Sequence, residues 1–183
     1  MKKPLLLLAF LPGTALAHPG HDTGTVLAGA AHPLGGADHI LAMVALGLLA
    51  AQIGGRALWA LPVTFVSAML AGGLLGFAGA DFPAVEPLIL ASVIVLGAMV
   101  ALALRAPLPV LIAMVAVFGA AHGWAHGAEG PATGIAAYAA GFALATAALH
   151  GSGLLAGRAI PVLALRGAGV VAALSGAALA MVG

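Results

Sequence analysis

The sequence predicts an all-α, polytopic membrane protein: a bundle of six transmembrane helices that follows a cleaved signal peptide. Hydrophobic residues make up 63% of the 183 residues and charged residues only 6%, whereas soluble domains carry about 25% charged residues. The long apolar runs favour helices over a membrane β-barrel, and the first residues resemble a secretory signal. This composition excludes an ordinary soluble enzyme, a disordered chain and a nucleic-acid-binding protein.

Residues 1–17 have the three parts of a signal peptide. Lys2 and Lys3 form a basic start, and an apolar run follows that is too short to cross a bilayer of about 30 Å. Ala15-Leu16-Ala17 fits the small-x-small cleavage pattern. We expect cleavage after Ala17, so that residues 18–183 form a single transmembrane domain.

Six apolar runs come close to the length of about 20 residues that a membrane span requires. They cover residues 34–53, 57–78, 87–104, 107–127, 132–155 and 163–182. Glycine and proline mark the breaks between them. Glycines at spacing four predict close helix packing inside the bundle or, less favoured, a dimer face: Gly72/Gly76, Gly119/Gly123/Gly127 and Gly153/Gly157.

The charged residues predict the orientation in the membrane. On this set of spans all arginines of the mature chain fall at one end of the bundle: Arg56, Arg105, Arg158 and Arg166. Asp81, Glu86 and Glu129 fall at the other end. The positive-inside rule makes the arginine end cytoplasmic. We therefore expect a protein of the bacterial inner membrane with both mature termini in the periplasm.

Most of the seven histidines gather at the predicted outer face. His32, Asp38 and His39 open the first span, and Glu86 opens the third. His122 and His126 are four residues apart near the end of the fourth span, so both project from one helix face. Glu129 follows three residues later.

Imidazole and carboxylate groups at one depth predict a site for a divalent transition metal. Ionised carboxylates are costly beside lipid, so we expect these groups to face the interior of the bundle. The predicted metal ligands are His32, Asp38, His39, Glu86, His122, His126 and Glu129.

His32 presents a geometric difficulty, because an ideal helix separates it from His39 by about 10 Å. Pro33, Gly35 and Gly36 predict an interruption of the helix before Asp38. His32 then either folds back onto the main site or forms a separate site above it.

Two further groups of polar residues have alternative interpretations. His18, His21 and Asp22 are candidates for metal recruitment, or belong to a solvated tail. His150 is favoured as a hydrogen-bonding residue between helices, with a role in an exit pathway beside Ser152 as the alternative.

At these residues the sequence resembles the HupE/UreJ family of nickel or cobalt permeases. The first family motif, His, five residues, then Asp-His, corresponds to His32–His39, and the second, His-Gly-x-Ala-His-Gly-x-Glu, to His122–Glu129. Ala121 stands where the family often has an aromatic residue. The resemblance covers the mature chain and implies roles for Glu86 and for Phe65, which would otherwise be interpreted as ordinary packing.

The expected function is that of a secondary permease for uptake of Ni²⁺, with Co²⁺ next, and with the ion as cargo rather than cofactor. The sequence has no Gly-x-x-x-x-Gly-Lys-Ser/Thr motif, so we expect no nucleotide hydrolysis. The expected partners are the ion, the bilayer and downstream hydrogenase, urease or cobalamin maturation machinery, without nucleic acid.

The alternative is an intramembrane metal-dependent hydrolase, with Glu129 or Asp38 as general base at a zinc-bound water. Polar residues on the inner half of the fifth span favour a transport route instead: Thr146, His150 and Ser152.

Overall fold

The computed structural model describes residues 24–182, which form seven α-helices. They are α1 (Val26–Ala31), α2 (Ala37–Ile53), α3 (Ala57–Phe77), α4 (Val85–Leu102), α5 (Leu108–Ala128), α6 (Ile135–Ala159) and α7 (Val162–Val182), with a 3-10 turn at His32–Leu34 between α1 and α2. The all-α class is confirmed for this part of the chain. The predicted signal peptide and the recruitment candidates His18, His21 and Asp22 lie outside the described residues.

Five helices, α3 to α7, are long and apolar enough to cross a membrane. Each coincides with a predicted span to within a few residues. The first predicted span differs, because α2 begins only at Ala37 and the preceding Val26–Leu34 segment is bent from it by 87°. Only when the two segments are taken together are they long and apolar enough to count as a membrane span, and they then form a broken span or a re-entrant loop.

The interruption expected before Asp38 is present. Pro33 lies in the 3-10 turn, and Gly36 has an extended backbone (φ −110°, ψ 124°) immediately before α2. The short α1 is held against α6, because Gly29 has no side chain where it meets the Tyr138 backbone. α1 therefore lies across one end of the bundle.

The helices pack most closely in three pairs, and each pair meets through glycines. In α3–α5 the Cα of Gly123 faces the Met69 backbone, and in α2–α6 that of Gly153 faces the Val44 carbonyl. In α4–α7 Gly97 and Gly169 face each other. The predicted glycine pairs thus serve packing inside the bundle.

Contacts between distant segments define the two ends of the bundle. At one end the Gln52 amide donates to the Val100 carbonyl (3.1 Å) and the Arg166 guanidinium donates to the Ala101 carbonyl (2.7 Å). We call this the arginine end, since Arg56, Arg105 and Arg158 lie exposed in or beside its connections. At the opposite end, here the histidine end, the Trp124 indole donates to the Ala80 carbonyl (2.6 Å).

Helix α2 is the centre of the bundle and packs against α3, α4, α6 and α7. Its core-facing side chains include Met43, Leu46 and Leu49, which are fully buried. This position brings the first turn of α2, with Asp38 and His39, to the middle of the histidine end.

Candidate metal centre

Four imidazole rings from three segments meet at the histidine end, and we call them the histidine cluster: His32 from the 3-10 turn, His39 from α2, and His122 and His126 from α5. The ring centre of His126 lies 4.6 Å from that of His32 and 4.5 Å from that of His39. The ring centres of His39 and His122 are 4.8 Å apart. Residues that are up to 94 positions apart in the sequence thus form one contiguous group.

His39 is oriented by the residue before it. Its Nδ1–H donates to Asp38 Oδ1 at 2.9 Å, because a carboxylate oxygen can only accept. The tautomer therefore leaves a lone pair on Nε2 of His39, which accepts a hydrogen bond from Nε2–H of His126 at 2.5 Å. A carboxylate behind the imidazole is a common way to orient a metal-binding histidine.

The glycine before this pair is sterically required. A Cβ on Gly36 would lie 2.7 Å from Asp38 Oδ1 and 2.9 Å from His39 Nδ1. Gly36 thus ends the interruption of the helix and leaves room for the hydrogen bond between His39 and Asp38.

His122 is oriented by Ser92, on the neighbouring helix α4. The Ser92 hydroxyl donates to the Ile89 carbonyl at 2.6 Å, so its oxygen accepts from Nε2–H of His122 at 3.0 Å. The lone pair of His122 is then on Nδ1, which is buried without a hydrogen-bond partner. His122 therefore has one buried ring nitrogen whose lone pair is unpaired.

The remaining two rings differ in their surroundings. His126 is buried, and its Nδ1 has no hydrogen-bond partner. His32 is exposed and its ring contacts those of Tyr138 and Phe142 as well as that of His126. The turn that ends α1 brings His32 back to the other histidines, so the 10 Å separation of a regular helix does not apply.

The imidazole nitrogens lie close together, but their separations do not match those of ligands around one metal ion. Among residues 24–182, no group of three His, Asp or Glu side chains has the spacing to hold a metal ion. Two nitrogens bonded to one ion at about 2.1 Å lie about 3.0–3.4 Å apart, whereas the Nε2 atoms of His39 and His126 are 2.5 Å apart. For both nitrogens to coordinate one ion, the two rings must move apart by less than about 1 Å.

The two glutamates lie outside this group of rings, although Glu129 is close enough to His32 to interact with it electrostatically. Glu86 in the first turn of α4 and Glu129 at the end of α5 are both exposed, and neither makes a hydrogen bond or ion pair through its side chain in the described part of the chain. Their exposure shows that neither carboxylate is buried inside the bundle. Both lie at helix ends, where an ionised carboxylate can stay in contact with water.

The rings of Phe65 and His150 lie next to the histidine cluster, on its side towards the arginine end. Phe65 is fully buried, and its ring centre lies 5.4 Å from that of His122 and 5.1 Å from that of His150. The favoured interpretation of His150 as a hydrogen-bonding residue is wrong, since neither ring nitrogen has a partner. Ser152 does not join it: its exposed hydroxyl donates to the Leu149 carbonyl.

Sequence reasoning missed three residues that shape the site. Ser92 had a detectable signal, a hydroxyl in the middle of an apolar helix. Met69, whose sulfur accepts from the Thr146 hydroxyl at 3.6 Å, and Phe142, which lies 4.4 Å from the His126 ring, had none. Apolar side chains in an apolar helix look alike until their neighbours are known.

Comparison with known proteins agrees with the resemblance of the two motifs. The family model described as HupE / UreJ protein matches residues 6–183. Protein HupE from Rhizobium leguminosarum bv. viciae is 45% identical over 148 residues, which are 79% of this chain and 76% of the relative. No solved structure shows significant similarity to the chain.

Proposed function

The chain belongs to the HupE/UreJ family, and from this premise we propose that it is a secondary permease that takes up a divalent transition metal, Ni²⁺ first and Co²⁺ next. The family is associated with nickel and cobalt transport. We further propose six spans in the bacterial inner membrane, with the histidine end and both mature termini facing the periplasm.

The observation that carries this proposal is the histidine cluster. Its imidazoles come from three segments, and the tautomers of His39 and His122 leave one lone pair of each directed away from its hydrogen-bond partner. Buried polar atoms are normally paired, yet Nδ1 of both His122 and His126 is not. A cation that binds neutral imidazole supplies the missing partner.

The carboxylates divide into two roles in this proposal. Asp38 stays behind His39 and balances part of the charge of the ion. Glu86 and Glu129, exposed at the same end, attract the hydrated cation before it loses water. His18, His21 and Asp22 would extend this recruitment on the periplasmic side.

The hydrolase alternative has less support. The family is a transporter family, and the cavity beside His126 is lined by apolar side chains that include Leu70, Leu74 and Phe77. Polar substrates need polar groups to orient them at the metal. The rings of Phe65 and His150 instead extend the site along the direction of transport.

Uptake of radiolabelled Ni²⁺ and Co²⁺ into cells that express the full chain tests the permease proposal. We expect His39→Ala and His126→Ala each to lower uptake at least about tenfold, because each removes one of two facing nitrogens. Ser152→Ala is the matched control, since its hydroxyl contacts only its own helix. Uptake equal to wild type in both histidine variants, at equal membrane expression, would refute the proposal.

A hydrogenase, urease or cobalamin maturation system is the proposed consumer of the imported metal. Loss of the corresponding enzyme activity in a strain without this chain, with restoration by added Ni²⁺ or Co²⁺, would identify which one.

A further inference from the structure

Two open cavities lie between helices α3 and α6. The one at the histidine end, here the His126 groove, has a volume of about 300 Å³, and its α3 side extends from Met69 to Phe77. At a rise of about 1.5 Å per residue this length is about 12 Å, and one leaflet of a bilayer contributes about 15 Å of hydrocarbon. The His126 groove therefore has nearly the depth of one leaflet. The other cavity, nearer the arginine end, has no residue of the histidine cluster in its described lining.

The His126 groove is lined almost entirely by apolar groups. Among the lining residues that the structure describes, only His126 and Tyr138 carry polar side chains. The lining also includes Gly73, Gly123 and Gly127, which belong to the close contact of α3 with α5. Apolar cavities stay dry, and ligand sites of this volume are typically lined by hydrophobic and aromatic side chains. An apolar ligand therefore fits the groove better than water or an ion does.

The rim of the His126 groove continues into the surface that α3 presents to the bilayer. Leu70, Leu74 and Phe77 line the groove, and all three are exposed. Both α3 and α6 are long and apolar enough to cross a membrane, so lipid hydrocarbon surrounds these exposed side chains. An acyl chain of a neighbouring lipid thus reaches the groove without crossing water.

The inner wall of the His126 groove belongs to the histidine cluster. His126 is one of the lining residues, and the ring of Phe142, also in the lining, lies 4.4 Å from the His126 ring. Within the described residues the only hydrogen bond of the His126 ring is the one to His39, since its Nδ1 has no partner. The orientation of His126 therefore depends on packing by its neighbours. An empty groove would leave that packing incomplete on one side.

We propose that a phospholipid acyl chain from the leaflet at the histidine end occupies the His126 groove and forms the lateral wall of the metal centre. The hydrocarbon contacts Phe142 and completes the packing around His126. It also keeps the ion from leaving sideways, since a charge inside lipid is costly. Occupancy of the groove is independent of the proposed permease function, whereas its role as a wall of the metal centre rests on that function.

Photo-crosslinking tests the occupancy with the unmodified chain in proteoliposomes. The probe is a phosphatidylcholine with a diazirine in the middle of one acyl chain, and its adducts are mapped by mass spectrometry after illumination. We expect adducts on Phe142, whose side chain is only 4% exposed, as well as on Leu174, an exposed leucine of α7 that serves as the reference. Adducts on Leu174 without any on Tyr138 or Phe142 would overturn the proposal.

Two phenylalanine substitutions on α6 distinguish the groove from the general lipid-facing surface. Ala139 lines the groove, and its neighbour Ala140 is exposed outside it. Ala139→Phe should fill the groove and lower the yield of adducts on Phe142 at least about fivefold, with an unchanged yield on Leu174. Ala140→Phe should leave both yields as in the wild type. Equal yields on Phe142 in the two variants would contradict occupancy of the groove.

A second copy of the chain is the competing occupant. It would keep the probe away from Phe142 in the wild type and give a dimer in native mass spectrometry that Ala139→Phe dissociates. This combination would overturn the lipid site.

The role in the metal centre is measured as Ni²⁺ affinity in detergent, before and after phospholipid is added. Wild type and Ala140→Phe should bind Ni²⁺ at least about threefold more tightly with phospholipid, whereas Ala139→Phe, whose own ring fills the groove, should not respond. An equal response of all three chains would show that the lipid does not act through the groove. If the wild-type chain binds no Ni²⁺, the proposed function fails, and the adducts on Phe142 still decide whether the groove holds lipid.

Discussion

Ser92 determines which ring nitrogen of His122 carries the proton and which keeps a lone pair. Its hydroxyl has one hydrogen, which goes to the Ile89 carbonyl, so its oxygen must accept from His122. Asp38 does the same for His39 through the other ring nitrogen. Two histidines of one cluster are thus held in opposite tautomers by their hydrogen bonds to Asp38 and Ser92.

Ser92→Ala should weaken Ni²⁺ binding about tenfold, since residues that orient metal ligands typically contribute 10- to 100-fold in affinity. The imidazole of His122 would then be free to change tautomer and to rotate. Isothermal titration calorimetry of the purified chain measures the effect, with Ser152→Ala as the control on a hydroxyl outside the site. An unchanged affinity would mean that Ser92 has no orienting role.

The sequence allowed most of the histidine cluster to be predicted, because histidines and aspartate are conspicuous in an apolar chain. It did not allow Ser92 to be predicted as the hydrogen-bond partner of His122, since this contact depends on how α4 and α5 pack against each other. The exposure of Glu86 and Glu129 was not predicted for a related reason: spacing gives depth along a helix, but not whether water reaches its end.

At the scale of helices, the glycine contacts hold the bundle together. A Cβ on Gly123 would collide with the Met69 backbone carbonyl, and one on Gly127 with that of Gly73. A backbone cannot move aside as a flexible side chain can. The distance between α3 and α5 is therefore set by the absence of side chains at these positions.

Gly123→Ala should lower the thermal unfolding midpoint in detergent by at least about 5 °C, because overpacking a tight helix contact usually costs more than a helix-favouring residue gains. Gly167→Ala in α7 is the matched control, since a Cβ there meets nothing within 4 Å. We expect its midpoint to stay the same or rise. Equal midpoints for the two variants would contradict the packing argument.

The segment before α2 shows the limit of prediction for helices. Pro33, Gly35 and Gly36 predicted the interruption, and the structure has it. The helix α1 was not predicted, because six residues are too few to be stable alone. It depends on the contact of Gly29 with α6, and on the backbone hydrogen bond from Gly24 to Thr133 (2.8 Å).

At the scale of the molecule, the separation of charge between the two ends predicts its orientation. Alkaline phosphatase fused after Asp81 or Glu129 should be active in the periplasm, and the same enzyme fused after Arg105 should be inactive. The matched fusions differ only in which end of the bundle carries the enzyme. The reverse pattern of activities would place the histidine end in the cytoplasm and turn the proposed uptake into export.

Five of the six predicted spans follow from composition alone, because an apolar run of sufficient length has few alternatives to a helix. The arrangement of those helices does not follow from composition. It depends on which glycines meet which backbones, and a glycine at spacing four can serve a contact with any neighbour.

The three glycine-locked helix pairs have a mechanical consequence. Within α3–α5, α2–α6 and α4–α7 the two backbones are in direct contact. We therefore expect each pair to resist sliding and to move as one rigid unit. Between α3 and α6 the contact is interrupted by two cavities, where little dispersion energy opposes separation. We therefore expect movement of the α3–α5 pair against the α2–α6 pair to be weakly opposed along this contact, which runs from His126 towards His150.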